Sequence, residues 1–391
     1  MFGSESSGRL VRINGTDPSR GSWEHAAFVP EPLPDGMPEL APSTYLRVAN
    51  ARAALGALDS TARQLPNPRL LRHPSLRREA QSTSALEGTY APLSDVFTMD
   101  EEEPPTGNLR EILNYVTAAE QAFAWQADGR PLTVGALSGL QRTLVRGTAS
   151  DTSSAGNIRD IQVVIGKAPN DAIMSSRFVP HPPGDELIRR VRELVDWLRT
   201  ERNDQVDPVV AAGLAHYQFE TLHPFNDGNG RIGRLLIVLQ LYSSGVLTEP
   251  TLTVSPWFES RRSEYYDRLL AVSTNSAWDA WLSFFAAGIE ESARSTREQM
   301  LALVHVQTLL HDQVRSSRLR ADSAHAVVDF AVGHPSFTVR ALAKDVSLSY
   351  ARANKLVSDL VGIGALVQVA GTATYRRRFH APAVLEVLLR T

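Results

Sequence analysis

Residues His223 to Arg234 read HPFNDGNGRIGR. The flanks decide what this stretch can be. Pro208 to Leu222, before it, is apolar and helical in spacing; Arg231 to Tyr242, after it, is apolar almost throughout past Arg234. Helices of that composition are buried. A histidine, a carboxylate, a glycine-flanked turn and two arginines therefore sit at a helix–loop–helix junction between buried segments. Polar groups are costly in such a place, which points to a site rather than to a surface.

Pro224 cannot continue a helix, so the first helix is expected to end near His223 and leave its imidazole at the lip. Phe225 reads as an apolar peg for the loop. The turn Gly228-Asn229-Gly230 can aim successive backbone N–H groups at one point, and a helix follows at once. Such nests and helix N-termini favour anions. Arg231 and Arg234 are three apart, on one side of that helix, where they could hold phosphate oxygens. Asp227 is a hard oxygen ligand suited to a magnesium ion carried by a nucleotide. Two other readings compete. Gly228, Gly230 and Gly233 spell GxGxxG, but the dinucleotide fingerprint needs a preceding strand, and here a helix ending in His-Pro precedes it. His216, Glu220 and His223 fall at i, i+4 and i+7, a spacing that could make a hydrolytic metal site. That reading leaves the glycine turn and its arginines unexplained.

HPFNDGNGRIGR resembles the signature HxFx(D/E)GNGRxxR of the Fic/Doc family at every defined position. The resemblance implies a mainly α-helical core with a small β-hairpin flap, and transfer of AMP from Mg²⁺-ATP to a Ser, Thr or Tyr hydroxyl of a protein, the protein itself included. It implies that His223 is the general base and that Asp227 holds Mg²⁺ between the α- and β-phosphates. Gly228, Asn229 and Gly230 would form the anion hole, and Arg231 and Arg234 would bind the β- and γ-phosphates. The chemistry agrees: the attacking hydroxyl needs a base and the leaving pyrophosphate needs charge stabilisation. The reverse reaction, removal of AMP, is left open.

A second motif, Thr83-Ser84-Ala85-Leu86-Glu87-Gly88, resembles the family's inhibitory (S/T)xxxE(G/N) sequence. By that resemblance Glu87 pairs with Arg234 and withholds it from the γ-phosphate. Taken without the resemblance, Glu87 is an acid set against the dipole at a helix C-terminus, which itself calls for a partner elsewhere.

The remaining chain organises around these two motifs, the resemblance spanning roughly residues 27–380. Residues 1–43 are rich in Gly, Ser and Pro and read as an extended arm, with Ala27 to Pro34 in polyproline-like or extended form packed on the main body. Residues 44–104 read as an N-terminal helical region carrying the inhibitory helix, which is expected to start at Pro74, and Glu101 to Pro105 as a linker. Residues 105–290 form the expected catalytic core. Within it Gly156 to Pro183 reads as a β-hairpin with its turn at Lys167 to Asp171. In the family a hairpin here is the flap that clamps a target chain by strand addition. The family's proline run is here Pro180-His181-Pro182-Pro183, with His181 read as a solvated loop residue. Tyr265 and Tyr266 match paired tyrosines near the adenine pocket, although Arg261 stands where relatives often have Asn.

Residues 291–320 read as a linker helix and 321–391 as a winged helix-turn-helix: helices at Thr338–Val346 and Ser349–Leu360, then strands around Gly371, the second including Tyr375 to Phe379. Arg352, Lys355 and the cluster Arg376 to Arg378 raise DNA binding as one role for it; protein contact or homodimerisation are the others. A DNA-binding regulator that only senses nucleotide is accordingly a third functional class. Net charge is −3 over 391 residues, so no global field for nucleic acid or membrane exists. With no cysteine, disulfides and thiolate zinc sites are excluded, which fits a reducing cytoplasm. The N-terminus lacks the apolar stretch of a signal peptide, and no apolar run is long enough to span a bilayer. A soluble cytoplasmic enzyme is the expectation.

Overall fold

The computed structural model describes residues 6–17, 21–65, 67, 69–99, 106–166, 173–200, 204–319, 322–369 and 377–390. In chain order the elements are strands β1 (Gly8–Asp17) and β2 (Gly21–Pro30), then helices α1 (Pro42–Gln64), α2 (Arg69–Leu86), α3 (Leu93–Thr98), α4 (Gly107–Ala127) and α5 (Val134–Val145). After a short 3-10 turn at Ile173–Ser175 come α6 (Asp185–Arg199), α7 (Pro208–Leu222), α8 (Asn229–Ser243), α9 (Ser255–Ser260), α10 (Arg262–Asn275) and α11 (Trp278–Ser316). The C-terminal unit follows with α12 (Asp322–Gly333), β3 (Ser336–Thr338), α13 (Val339–Asp345), α14 (Tyr350–Gly362), β4 (Val367–Gln368), β5 (Arg378–His380) and α15 (Pro382–Leu389). The fold is mainly helical, and among the described residues no helix is long and apolar enough to cross a membrane.

The centre of the molecule is the antiparallel pair α7 and α8. Pro208 opens α7 with its fixed φ, and the Asp207 carboxylate accepts from Val209 N at 2.8 Å. Both helices are buried nearly all round, as their composition requires. α4, α5, α6, α10 and α11 pack around them, and α1 lies along α11. One continuous apolar core extends from Leu40 to Leu388, so the C-terminal unit shares it with the rest of the chain.

Several expectations are corrected here. The N-terminal arm is extended but not polyproline-like: its two ten-residue strands pair antiparallel, in register from Gly8↔Pro30 to Asp17↔Gly21. Its inner face, Ala27 to Val29, is buried, and the backbone bond from Phe28 N to Val179 O (2.9 Å) fastens it to the flap region. α2 starts at Arg69, ahead of Pro74, which lies inside the helix. The two helices expected on either side of residue 290 are one 39-residue helix, α11: no Pro interrupts the change from apolar to charged sequence, and Gly288 is accommodated within the helix.

Among the described residues, the expected flap hairpin shows one bridge, Ile165↔Phe178, with Ile165 N donating to Phe178 O at 2.9 Å. The turn at Lys167 to Asp171, like the linker at Glu101 to Pro105, Gly371, Tyr375 and Arg376, lies outside the described residues. His181 is not solvated: it is 1% exposed, its Nδ1 lies 2.7 Å from Pro182 O, and burial holds its pKa down.

In the C-terminal unit the elements run helix, strand, helix, helix, strand, strand, with sheet order β3-β5-β4, all antiparallel. Ser347 makes the tight turn between α13 and α14 at φ 53°. Of the arginine cluster, the two described members make contacts within the protein. Arg377 donates to Asn354 Oδ1 at 2.5 Å, and Arg378 donates inward to the carbonyls of Thr98 (3.1 Å) and Met99 (2.8 Å).

Candidate active site

His223 closes α7 in the left-handed region, φ 49° and ψ 61°, with its N–H donating to Phe219 O at 2.9 Å. Pro224 then forbids another helical turn. The exposed carbonyls of this helix end are collected by Arg159. Its Nε donates to His223 O (2.7 Å) and its Nη2 to Leu222 O (3.3 Å) and, through a short bond, to His181 O. Arg159 is 2% exposed, and burial lowers its pKa to about 10. A cation here satisfies orphan acceptors and the negative end of the helix dipole. Sequence reading missed it, because hydrophobic periodicity carries no signal for a buried charge.

The His223 imidazole is half-buried. Its Nδ1 lies 3.2 Å from Glu220 O, and a carbonyl can only accept, so Nδ1 carries the proton and Nε2 keeps its lone pair. Burial first, then Arg159, lowers the histidine's pKa to about 4, so it is neutral near pH 7. A neutral imidazole with a free Nε2 is a base.

The loop beyond it is braced from inside. Phe225 is buried as expected, and its backbone is held on both sides by the Asn229 amide: Phe225 N donates to Oδ1 (2.8 Å) and Nδ2 donates to Phe225 O (2.7 Å). The Asn229 side chain is thus spent on loop shape, and only its backbone is left for an anion. Asn229→Ala should orphan two buried backbone groups and cost about 2–4 kcal/mol of unfolding free energy. A urea titration showing a loss below about 1 kcal/mol would refute this assignment. Gly228 turns the chain at φ 83°, and α8 begins within the glycine turn, two residues earlier than the sequence suggested. Asp227 Oδ1 accepts from Gly228 N (2.6 Å) and Arg231 Nη2 (3.3 Å), and Oδ2 accepts from Ser150 (2.5 Å).

The two arginines go to different partners. Arg231 reaches Glu111 of α4 at 3.1 Å as well as Asp227, and its Nε is buried without a partner. Arg234 is fully buried. Its Nε donates to Thr83 Oγ1 (2.7 Å), and its Nη2 donates to Thr83 O (3.1 Å) and Glu87 Oε1 (2.6 Å). Burial opposes the charge on Arg234, and neighbouring acids led by Glu87 more than offset it, so the guanidinium stays charged. The Glu87 carboxylate also lies directly over Gly230: a Cβ there would stand 2.0 Å from Oε1. Both residues of the expected pair therefore meet, 147 positions apart in sequence.

Two further acids border Arg234. Glu79 is buried and accepts from Ser255 N (2.9 Å) and Ser255 Oγ (2.5 Å), with its pKa raised by burial. Glu220 has its pKa raised to about 8 by burial, so it is largely neutral near pH 7, and its Oε1 meets no hydrogen-bond partner. Neither was singled out from sequence for a place beside Arg234.

The alternative metal set does not assemble. His216 Nδ1 lies 3.0 Å from Gly233 O and Nε2 lies 2.7 Å from Tyr265 OH, within a stack of Phe258, Trp281 and Phe285. Burial drives its pKa to about 3. Both its nitrogens are occupied, and among the described residues no cluster of three His, Cys, Asp or Glu side chains can hold a metal ion. Tyr265 is fully buried as the partner of His216 and also bonds to Arg234, so it backs the site from the core and does not border its cavity. Tyr266 does face the site. It borders a cavity of about 530 Å³ together with His223, Glu87, Glu220, Arg262 and Phe178.

A base at the lip of a cavity, a glycine turn opening the next helix and a buried guanidinium on that helix are together the architecture of a Fic domain. Residues 131–241 match the Fic/DOC family and residues 45–124 match the Fic/DOC family N-terminal region, so the chain belongs to that family over 45–241. A Fic family protein from Desulfovibrio desulfuricans G20 shares the fold with a TM-score of 0.55 at 22% identity, over 88% of this chain and 97% of that one. The protein adenylyltransferase fic-1 of Caenorhabditis elegans is 38% identical over 96 residues, 25% of this chain and 17% of that protein. The protein adenylyltransferase Fic of Drosophila grimshawi is 34% identical over 116 residues, 30% of this chain and 20% of the relative. The match to these two proteins thus spans a fifth or less of their length.

Proposed function

We propose that the chain is a protein adenylyltransferase held in a restrained state by Glu87. The observation that carries this reading is the single guanidinium, Arg234, buried between Thr83 and Glu87 at the mouth of a phosphate-shaped turn. In the transfer, the hydroxyl oxygen of a target Ser, Thr or Tyr attacks the α-phosphorus of ATP. The new O–P bond forms as the bond to pyrophosphate breaks, and the hydroxyl proton passes to His223 Nε2. Backbone N–H groups at the start of α8 and the Arg231 and Arg234 guanidiniums would hold the phosphates. Asp227 suits Mg²⁺: a single partly exposed carboxylate fits an ion whose other ligands are phosphate and water. When bound, that ion would neutralise charge between the α- and β-phosphates.

Glu87 opposes all this in two ways. It occupies Arg234, and it sets a negative charge above Gly230 where a phosphate would lie. A target chain would align beside the flap, where Val164 and Ile161 are exposed. The C-terminal unit has the element order of a winged helix, and we read it as one. Its inward-turned Arg377 and Arg378 favour protein contact over DNA binding. Mass spectrometry after incubation with ATP and Mg²⁺ tests the proposal. An AMP adduct on a hydroxyl side chain is expected, and a different adduct, or none on any added protein or on the chain itself, overturns it.

A further inference from the structure

The helix that carries Glu87 has two working faces. Glu79, Thr83 and Glu87, spaced i, i+4 and i+8, form a stripe directed at Ser255 and Arg234. Leu70, His73 and Arg78 meet the C-terminal unit instead. The Gly333 Cα lies so close to α2 that a Cβ there would stand 3.0 Å from Leu70 O. The His73 and His334 rings are 4.6 Å apart, and Arg78 Nη1 donates to Leu388 O (3.4 Å) and Arg390 O (3.2 Å). Pro74 has no N–H to offer the Leu70 carbonyl, so α2 is loosened at the place where α12 presses on it.

The segment after Glu87 is tied to the same unit. α3 packs against β3 and α15. Arg378 Nη1 donates to Thr98 O and Met99 O at its end, and Ser336 Oγ donates to Thr98 O at 3.4 Å. Glu87 and Gly88 therefore lie between two helices, α2 before and α3 after, and both are gripped by residues 333–390. None of these contacts touches the cavity beside His223.

We propose that the C-terminal unit is part of the restraint itself: by gripping α2 and α3 on the side away from Arg234, it holds Glu87 on the guanidinium. This rests on the inhibitory reading of Glu87. Arg78 and Gly333 are then positioning residues, acting on ATP only through Glu87. A ligand or partner that shifts the unit would release the site without entering it, in the manner of a coupling free energy between two places.

The full-length chain tests this through MgATP affinity, measured by titration calorimetry. Arg78→Ala removes one grip and Gly333→Val wedges α12 away from α2; each is made alone and in a Glu87→Gly background. Each is expected to tighten MgATP binding about fivefold in the presence of Glu87 and to have no effect in its absence, with Arg78→Lys restoring the wild-type value. An unchanged affinity in both variants, or an equal change in both backgrounds, overturns the proposal, the latter by showing general loosening. Weaker binding in both backgrounds, as misfolding would give, also counts against it. If Glu87→Gly itself fails to tighten binding, the inhibitory reading falls first, a result distinct from the others.

Discussion

Glu87→Gly should bind MgATP tenfold to a hundredfold more tightly than the wild-type chain and label protein with AMP correspondingly faster at subsaturating ATP. The magnitude follows from what the carboxylate now does. A charge-assisted hydrogen bond to a buried guanidinium is worth about 1.5–3 kcal/mol, and each 1.4 kcal/mol is tenfold in affinity. The variant returns that partner to the nucleotide and removes a negative charge from above Gly230. It should also be less stable than wild type without nucleotide, because removing the carboxylate leaves the buried Arg234 guanidinium without its anion. Calorimetry for affinity and a melting curve with and without MgATP give both readings. Equal or weaker binding by the variant would remove Glu87 from any inhibitory role.

His223→Ala should lose AMP transfer by about 10²–10⁴-fold, the usual contribution of a positioned general base, while keeping MgATP binding close to that of the wild type. Alanine at φ 49° is strained, so His223→Asn is the better companion: asparagine tolerates the left-handed region and supplies no base. Transfer within tenfold of wild type in either folded variant would end the base assignment. The pH dependence has a definite sign. With the imidazole pKa held near 4 by burial and Arg159, the base is free at neutral pH, and activity should fall only as pH drops towards that value. A limb centred near 6.5, the ordinary histidine value, would mean that the site opens to water before reaction.

What the sequence made legible was whatever its local chemistry determines. α7 runs from Pro208 to Leu222 as expected because Asp207-Pro208 starts it and His223-Pro224 stops it. The meeting of Glu87 with Arg234 was legible through motif resemblance alone, since nothing in a helix's own pattern states which distant residue its last side chain reaches. Arg159 and Glu79 were not picked out as neighbours of the site, and Glu220 was picked out only as a metal ligand: each is a charged group whose burial depends on three-dimensional neighbours. Which of the paired tyrosines faces the cavity was hidden for the converse reason. Adjacent tyrosines at helical spacing point in different directions, and only the fold shows that one meets His216 while the other meets the cavity. The N-terminal hairpin was obscured by its glycines and serines, which dilute the alternation in Val11-Arg12-Ile13-Asn14 although its register is complete.

The complete enclosure of Arg234 has a kinetic meaning. A guanidinium with no surface exposure cannot be left without an anion while the site reorganises. On the proposed reading, departure of the carboxylate and arrival of the phosphate would be halves of one exchange, with an empty intermediate high in energy. Such control is better pictured as a relay in which the charge is passed from hand to hand than as a door that opens and waits.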